Sequence, residues 1–347
     1  SLVGSEMCIR DRAAFVFRPV ESPFGVIDTA GSIGCTVLED SVVTLSELLK
    51  RADLALYHAK ERSGSSHSFF THDMDNEQQK RRRREAEMRA GIAGGEFHLD
   101  YRPVVKAGTL SISGFTVEVR WSHPEEGDLV QSQFMGMAET NGLILPLGNW
   151  MLERALMDAS GWTEKADITL PVSAVQLRDP GFATSVIAAI EDARFDASRL
   201  VLDVQSNATN TEGAVVLGNL ERLREKAVKI SVSELAASIA GLSMARAFPV
   251  DRVHLDLASI RTIVGEERLV QMLTLFLQLA STVETPVTLS GVDSLEDLKC
   301  ACDAGAEHVQ GTFAGTRFCT LQAARFPMSV DDPAPISLSA LELLRTA

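Results

Sequence analysis

From residue 95 onward the sequence alternates between short apolar runs of strand length and apolar patterns at helical spacing. The strand-like runs fall at 98–105, 110–119, 168–172, 200–204, 229–232, 253–257, 287–289 and 308–313. Between most of them, apolar residues recur at helical spacing, at 147–162, 181–193, 212–227, 238–247, 266–282 and 294–304. Strands alternating with helices predict a parallel sheet, and about eight such units predict a (β/α)8 barrel. In that architecture, functional side chains gather at the C-terminal ends of the strands.

The first ninety residues read differently. Residues 1–12 have no periodicity and read as a non-native leader. Short apolar runs at 25–37, punctuated by Gly31 and Gly34, predict a strand and its turn. Leu45, Leu48, Leu49, Ala52, Leu56 and Ala59 place an amphipathic helix over 44–60, and 68–70 adds a last strand. A single helix is predicted over 75–92. Its five consecutive cations, Lys80 to Arg84, read as a solvated helix face in so acidic a chain. The expected organisation is a truncated α/β fragment over 13–73, a linker helix over 74–94, the barrel over 95–327 and a tail over 328–347.

The net charge of −14 excludes a nucleic-acid backbone as partner. No run is long and apolar enough to predict a membrane span in this segment. Cys8, Cys35, Cys300, Cys302 and Cys319 do not form a ligand-spaced set, and the reading is reduced cysteines in a cytoplasmic protein.

The stretch Gly114 to Pro124 predicts a strand that delivers Arg120 and Trp121 to its C-terminal end, closed by Pro124 as a helix breaker. The predicted barrel mouth carries Thr116, Pro171, Asp203, Ser233 and Glu234, Asp256, Ser290 and Gln310. Carboxylates on three strands, among hydroxyls and a proline, are poor material for a pair of divalent metals.

Two resemblances extend this reading. Ser32-Ile33-Gly34, followed by Ala52-Asp53-Leu54-Ala55-Leu56-Tyr57-His58-Ala59-Lys60, resembles the C-terminal third of a GGDEF (diguanylate cyclase) domain. The loop that names that family does not occur here, so no cyclase activity is implied. Residues 82–325 resemble an EAL domain, the cyclic-di-GMP phosphodiesterase barrel. The landmarks are Tyr101-Arg102-Pro103-Val104-Val105, Gly114 through Pro124, and Ala138-Glu139-Thr140-Asn141-Gly142-Leu143-Ile144. Ser173-Ala174-Val175-Gln176-Leu177, Phe248-Pro249-Val250-Asp251, Gly291-Val292-Asp293 and Gln310-Gly311 complete the set.

The second resemblance implies a metal-dependent phosphodiesterase site, and this chain departs from it at most positions. The signature glutamate, a metal ligand, falls on Thr116 and the asparagine ligand on Pro171. Asp203 stands for a glutamate, Ser233 and Glu234 for paired aspartates, His254 for a lysine and Ser290 for a glutamate. Leu235-Ala236-Ala237-Ser238 replaces a glycine-rich loop. Arg120, a phosphate contact in the family, is intact, as are Asp256 and Gln310, while Arg102 replaces a glutamine.

The expectation is a barrel with no catalytic residue and no resident metal, Mg²⁺ or Mn²⁺ entering only with residual activity. It would act as a regulatory or protein-interaction module in cyclic-di-GMP signalling. The alternatives are a metal-independent cyclic-di-GMP sensor, or a weak phosphodiesterase. Ligand-binding candidates are Arg120, Asp203, Asp256, Gln310 and Arg102. The apolar loop Leu235, Ala236, Ala237 and Ile239 suggests a homodimer or a protein partner.

Overall fold

The computed structural model describes residues 20–22, 25–27, 31–37, 44–60, 66–162, 165–205, 213–233, 250–282, 284–313 and 318–319. The chain divides into two compact units, residues 1–88 and 89–347. Among the described residues no helix is long and apolar enough to cross a membrane.

In the first unit β1 (Val20–Ser22) and β2 (Gly25–Ile27) pair antiparallel. β3 (Ser32–Cys35) and β4 (Ser66–Phe69) pair in parallel, with α1 (Leu45–Lys60) between them in sequence. A Cβ on Gly34 would lie 2.1 Å from the Ala52 carbonyl oxygen and 2.2 Å from the Leu56 nitrogen. Only glycine lets the strand press so close to the helix backbone. α2 (His72–Gly94) follows, and its Arg81 donates from Nη1 to the Tyr57 hydroxyl at 2.8 Å. Arg81 also lies over the Tyr57 ring, so the cationic run is anchored to α1 at this residue.

The second unit opens with a hairpin, β5 (Phe97–Lys106) and β6 (Ile112–His123). β8 (Asp167–Val172), β9 (Leu200–Gln205), β10 (Lys229–Ser233), β11 (Arg252–Asp256), β12 (Val287–Ser290) and β13 (His308–Val309) then add in parallel order. β13 pairs back onto β5, which closes an eight-stranded barrel. β7 (Gly127–Val130) extends β6 past the barrel wall, and β14 (Phe318–Cys319) pairs with β5.

The helices are α3 (Met135–Thr140), α4 (Ile144–Ser160), α5 (Ala174–Leu177), α6 (Phe182–Ala193), α7 (Ala214–Glu225), α8 (Leu257–Val264), α9 (Glu266–Thr282) and α10 (Leu295–Ala304). The fold is the (β/α)8 barrel that the alternating pattern predicts.

Three details differ from the expectation. β5 runs antiparallel to its neighbours, because the chain reverses between Lys106 and Ile112, with Leu110 at φ 54°. A parallel connection would need a crossover of about a dozen residues or more. β6 continues to His123, so Arg120 and Trp121 lie inside a strand rather than at its end. β11 stops at Asp256, whose side chain caps α8. The helix expected at 238–247 lies outside the described residues.

Alternation along β5 and β6 sets the site. Phe115, Val117, Val119 and Trp121 point out beneath the helices and are almost fully buried. Trp162 packs edge-on against Tyr101 and Phe115, and Phe97 stacks on Trp121. The alternate residues Thr116, Glu118 and Arg120 therefore face the barrel interior and its mouth.

Candidate functional site

The inward face of the hairpin carries a ladder of charges. Arg102 donates from Nε to Glu118 at 2.6 Å, the two side chains 22% and 17% exposed. One step nearer the mouth, Arg120 donates from Nε to Asp100 at 3.2 Å, and its Nη1 lies 3.7 Å from Asp128. Two arginines expected to meet a ligand are thus each matched to a carboxylate of the chain itself. Thr116 lies opposite Arg102 in the strand register, and its hydroxyl donates to Gln310 Oε1 at 3.4 Å.

On the facing wall the acids are fewer. Asp203, on β9, holds Oδ2 3.8 Å from His254 Nδ1 on β11. Its Oδ1 is buried and has no hydrogen-bond partner among the described residues. Asp256 is committed elsewhere: Oδ2 accepts from the Ser259 nitrogen at 2.8 Å and hydroxyl at 2.7 Å. Its Oδ1 accepts from the Ser290 hydroxyl at 3.1 Å. Ser233 donates to the Val204 carbonyl at 3.5 Å, and Glu234 lies outside the described residues. Among the described residues no three His, Cys, Asp or Glu side chains gather where they could hold one metal ion.

A cavity of about 120 Å³ opens at this wall. Pro171, Asp203 and Ser233 line it from the strand ends, and Gln131, Met135 and Glu139 from the segment after β7. The structure therefore brings Asp203 and His254 together on one wall, and Arg102 and Arg120 on another. Asp256 and Gln310 serve as a helix cap and a buried partner of Thr116. Asp100, Glu118, Asp128, Gln131 and Glu139 were not among the sequence candidates. Alternation points to Glu118, two residues after Thr116 on the same strand face, whereas Asp128 sits on β7, which no pattern announced.

A model of the EAL domain family matches residues 85–316. The chain belongs to the EAL family. It is 31% identical over 306 residues to an uncharacterized signaling protein of Caulobacter vibrioides, covering 88% of this chain and 38% of that protein. It is 25% identical over 304 residues to the bifunctional diguanylate cyclase/cyclic di-GMP phosphodiesterase MucR of Pseudomonas aeruginosa, covering 86% of this chain and 44% of MucR. The chain thus spans about two-fifths of the length of these relatives.

Among solved structures, the MucR phosphodiesterase in complex with c-di-GMP superimposes with a TM-score of 0.64 at 23% identity. That match covers 68% of this chain and 98% of the other, and it establishes the shared EAL fold. The landmarks that define the family here are largely structural. Gly311 admits no side chain, because a Cβ would lie 2.0 Å from the Val292 carbonyl oxygen. Asp293 Oδ1 accepts from the Thr312 nitrogen at 2.7 Å, and Ser173 and Gln176 form the capping box of α5.

Proposed function

We propose that this EAL barrel does not hydrolyse cyclic-di-GMP and acts as a regulatory or protein-interaction module in signalling by that nucleotide. The observation that supports it most is the donor set at the mouth. Thr116, Ser233 and Ser290 offer neutral hydroxyls, Pro171 has no side-chain oxygen, and both oxygens of Asp256 already accept hydrogen bonds. Asp203 is left as one carboxylate in a place where two divalent metals need several. These residues do not fit a metal pair, and no catalytic step through one is derived.

The same proposal includes a degenerate site in a cytoplasmic protein, a homodimer or protein partner at the loop around Leu235 and Ile239, and a GGDEF-derived first unit. That loop lies outside the described residues. A metal-independent cyclic-di-GMP sensor is the second reading, favoured by the inward position of Arg120. The carboxylates of Asp100 and Asp128 weigh against it, since they occupy the guanidinium a phosphate would need.

Incubating the chain with cyclic-di-GMP and Mn²⁺ should leave the dinucleotide intact. Linear dinucleotide that depends on Mn²⁺ and disappears in Asp203→Ala would overturn the proposal. Calorimetric titration with the same ligand, with and without EDTA, then separates the sensor from the interaction module.

A further inference from the structure

We infer that the cavity beside Asp203 is a receptor for one organic cation of side-chain size, a guanidinium on an aliphatic stem. Its volume of about 120 Å³ is far more than one water needs, roughly 10–15 Å³. Two carboxylates line it, Asp203 and Glu139, and no lysine, arginine or histidine does. Two acceptor atoms at its wall, Asp203 Oδ1 and Gln131 Oε1, are buried without a hydrogen-bond partner among the described residues. Buried acceptors of this kind are costly until a donor meets them, and an ionised carboxylate prefers a charged one.

The rest of the lining selects among donors. Met135, Ile144, Met151 and Pro171 give the cavity apolar walls, and thioether side chains adapt to the shape beside them. An apolar wall ending in acceptors matches a side chain with an aliphatic stem and a cationic head. Guanidinium fits better than ammonium, because it is more weakly hydrated and spreads its donors in a plane over several acceptors. A divalent metal fits poorly, since the described residues do not gather three His, Cys, Asp or Glu around one point.

The assignment deepens the non-catalytic reading and rests on it, because a catalytic metal would claim the same Asp203 carboxylate. An arginine side chain of a protein partner and a free alkylguanidine share the required chemistry.

The test titrates the full chain, labelled at its methionine methyls, with n-butylguanidinium, n-butylammonium and neutral n-butylurea. The Met135 and Met151 signals should move with butylguanidinium, while that of Met157, exposed on α4, stays in place. Butylammonium should bind more weakly. Butylurea, or Asp203→Asn titrated with butylguanidinium, should show affinity lower by about ten-fold or more, as expected for loss of a charge-assisted contact. Gln131→Leu supplies a second variant that leaves the strand ends untouched, and it should weaken butylguanidinium binding as well.

Equal binding of butylurea, unchanged affinity in both variants, or no movement of Met135 and Met151 would each overturn the assignment. A peptide with a single arginine, compared with its citrulline counterpart, then distinguishes a protein partner from a free guanidine. Hydrolysis with Mn²⁺ is scored separately, so the failure of one reading is not mistaken for failure of the other.

Discussion

Arg120 is 14% exposed and stands between Asp100, 19% exposed, and Asp128, 52% exposed. The inner carboxylate decides stability and the outer one decides access. Removing the guanidinium would leave Asp100 partly buried with its ion-pair partner gone, which is the costly way to break a pair. Arg120→Ala should therefore lower unfolding free energy by about 1–3 kcal/mol, read as a shift in denaturant midpoint at constant slope. Arg120→Lys should recover part of that loss, because an ammonium keeps the charge without the planar fork. A loss smaller than a few tenths of a kcal/mol would mean that the pair is only a surface contact. For the sensor reading, Asp128→Asn should tighten cyclic-di-GMP binding, by up to about five-fold for a rim pair of this exposure.

The β11–α8 and β12–α10 corners explain how much of the fold could be read from the chain. Gly311 is required by the Val292 backbone, Asp293 tethers Thr312, and Asp256 caps α8. These contacts are local or fixed by backbone geometry, so they leave a sequence trace even where the chemistry has gone. The charge ladder left less trace, since the partners of Arg102 and Arg120 lie 16 and 20 residues away and were not sought. The cavity left none, because it exists only where the strand ends meet the segment after β7.

Asp297 illustrates a corner whose cost can be measured. It accepts from Arg261 Nη2 at 2.6 Å and, within its own turn, from the Ser294 hydroxyl at 2.8 Å and nitrogen at 3.0 Å. Burial alone would push its carboxyl up, but Arg261, Ser294 and the Asp293 nitrogen outweigh it and hold the pKa below the usual value. Asp297→Ala removes the tie between α8 and α10 together with half of a capping box. It should cost about 2–3 kcal/mol at pH 7, measured by denaturant unfolding. A depressed carboxylate stabilises above its unfolded pKa, so the difference between wild type and variant should shrink as pH falls below about 4.

Across the molecule, the barrel interior departs from the branched apolar filling common in this architecture. Thr169, Ser231 and Thr288 are almost wholly buried on β8, β10 and β12. His254, Thr288 and His308 follow one another in register across β11, β12 and β13. His308 Nδ1 and Thr288 Oγ1 are buried without a hydrogen-bond partner among the described residues. Burial pushes the His308 pKa down, and the charges of Arg252 and Lys106 push it further, against smaller opposing effects of Glu307 and Asp167.

The folded chain therefore holds His308 neutral at pH values where the unfolded chain has begun to protonate it. The unfolded state then binds more protons, so stability is complete above the ordinary value of 6.5 and falls as pH drops below it. One proton contributes a slope of at most about 1.4 kcal/mol per pH unit. Unfolding free energies measured from pH 7.5 to 5.0 should decline more steeply for wild type than for His308→Leu. The other histidines and the depressed carboxylates are common to both chains, so the difference between the two slopes isolates His308. Identical slopes would mean that the ring protonates in the folded barrel as readily as in the unfolded chain, with the orphaned Nδ1 reached by solvent.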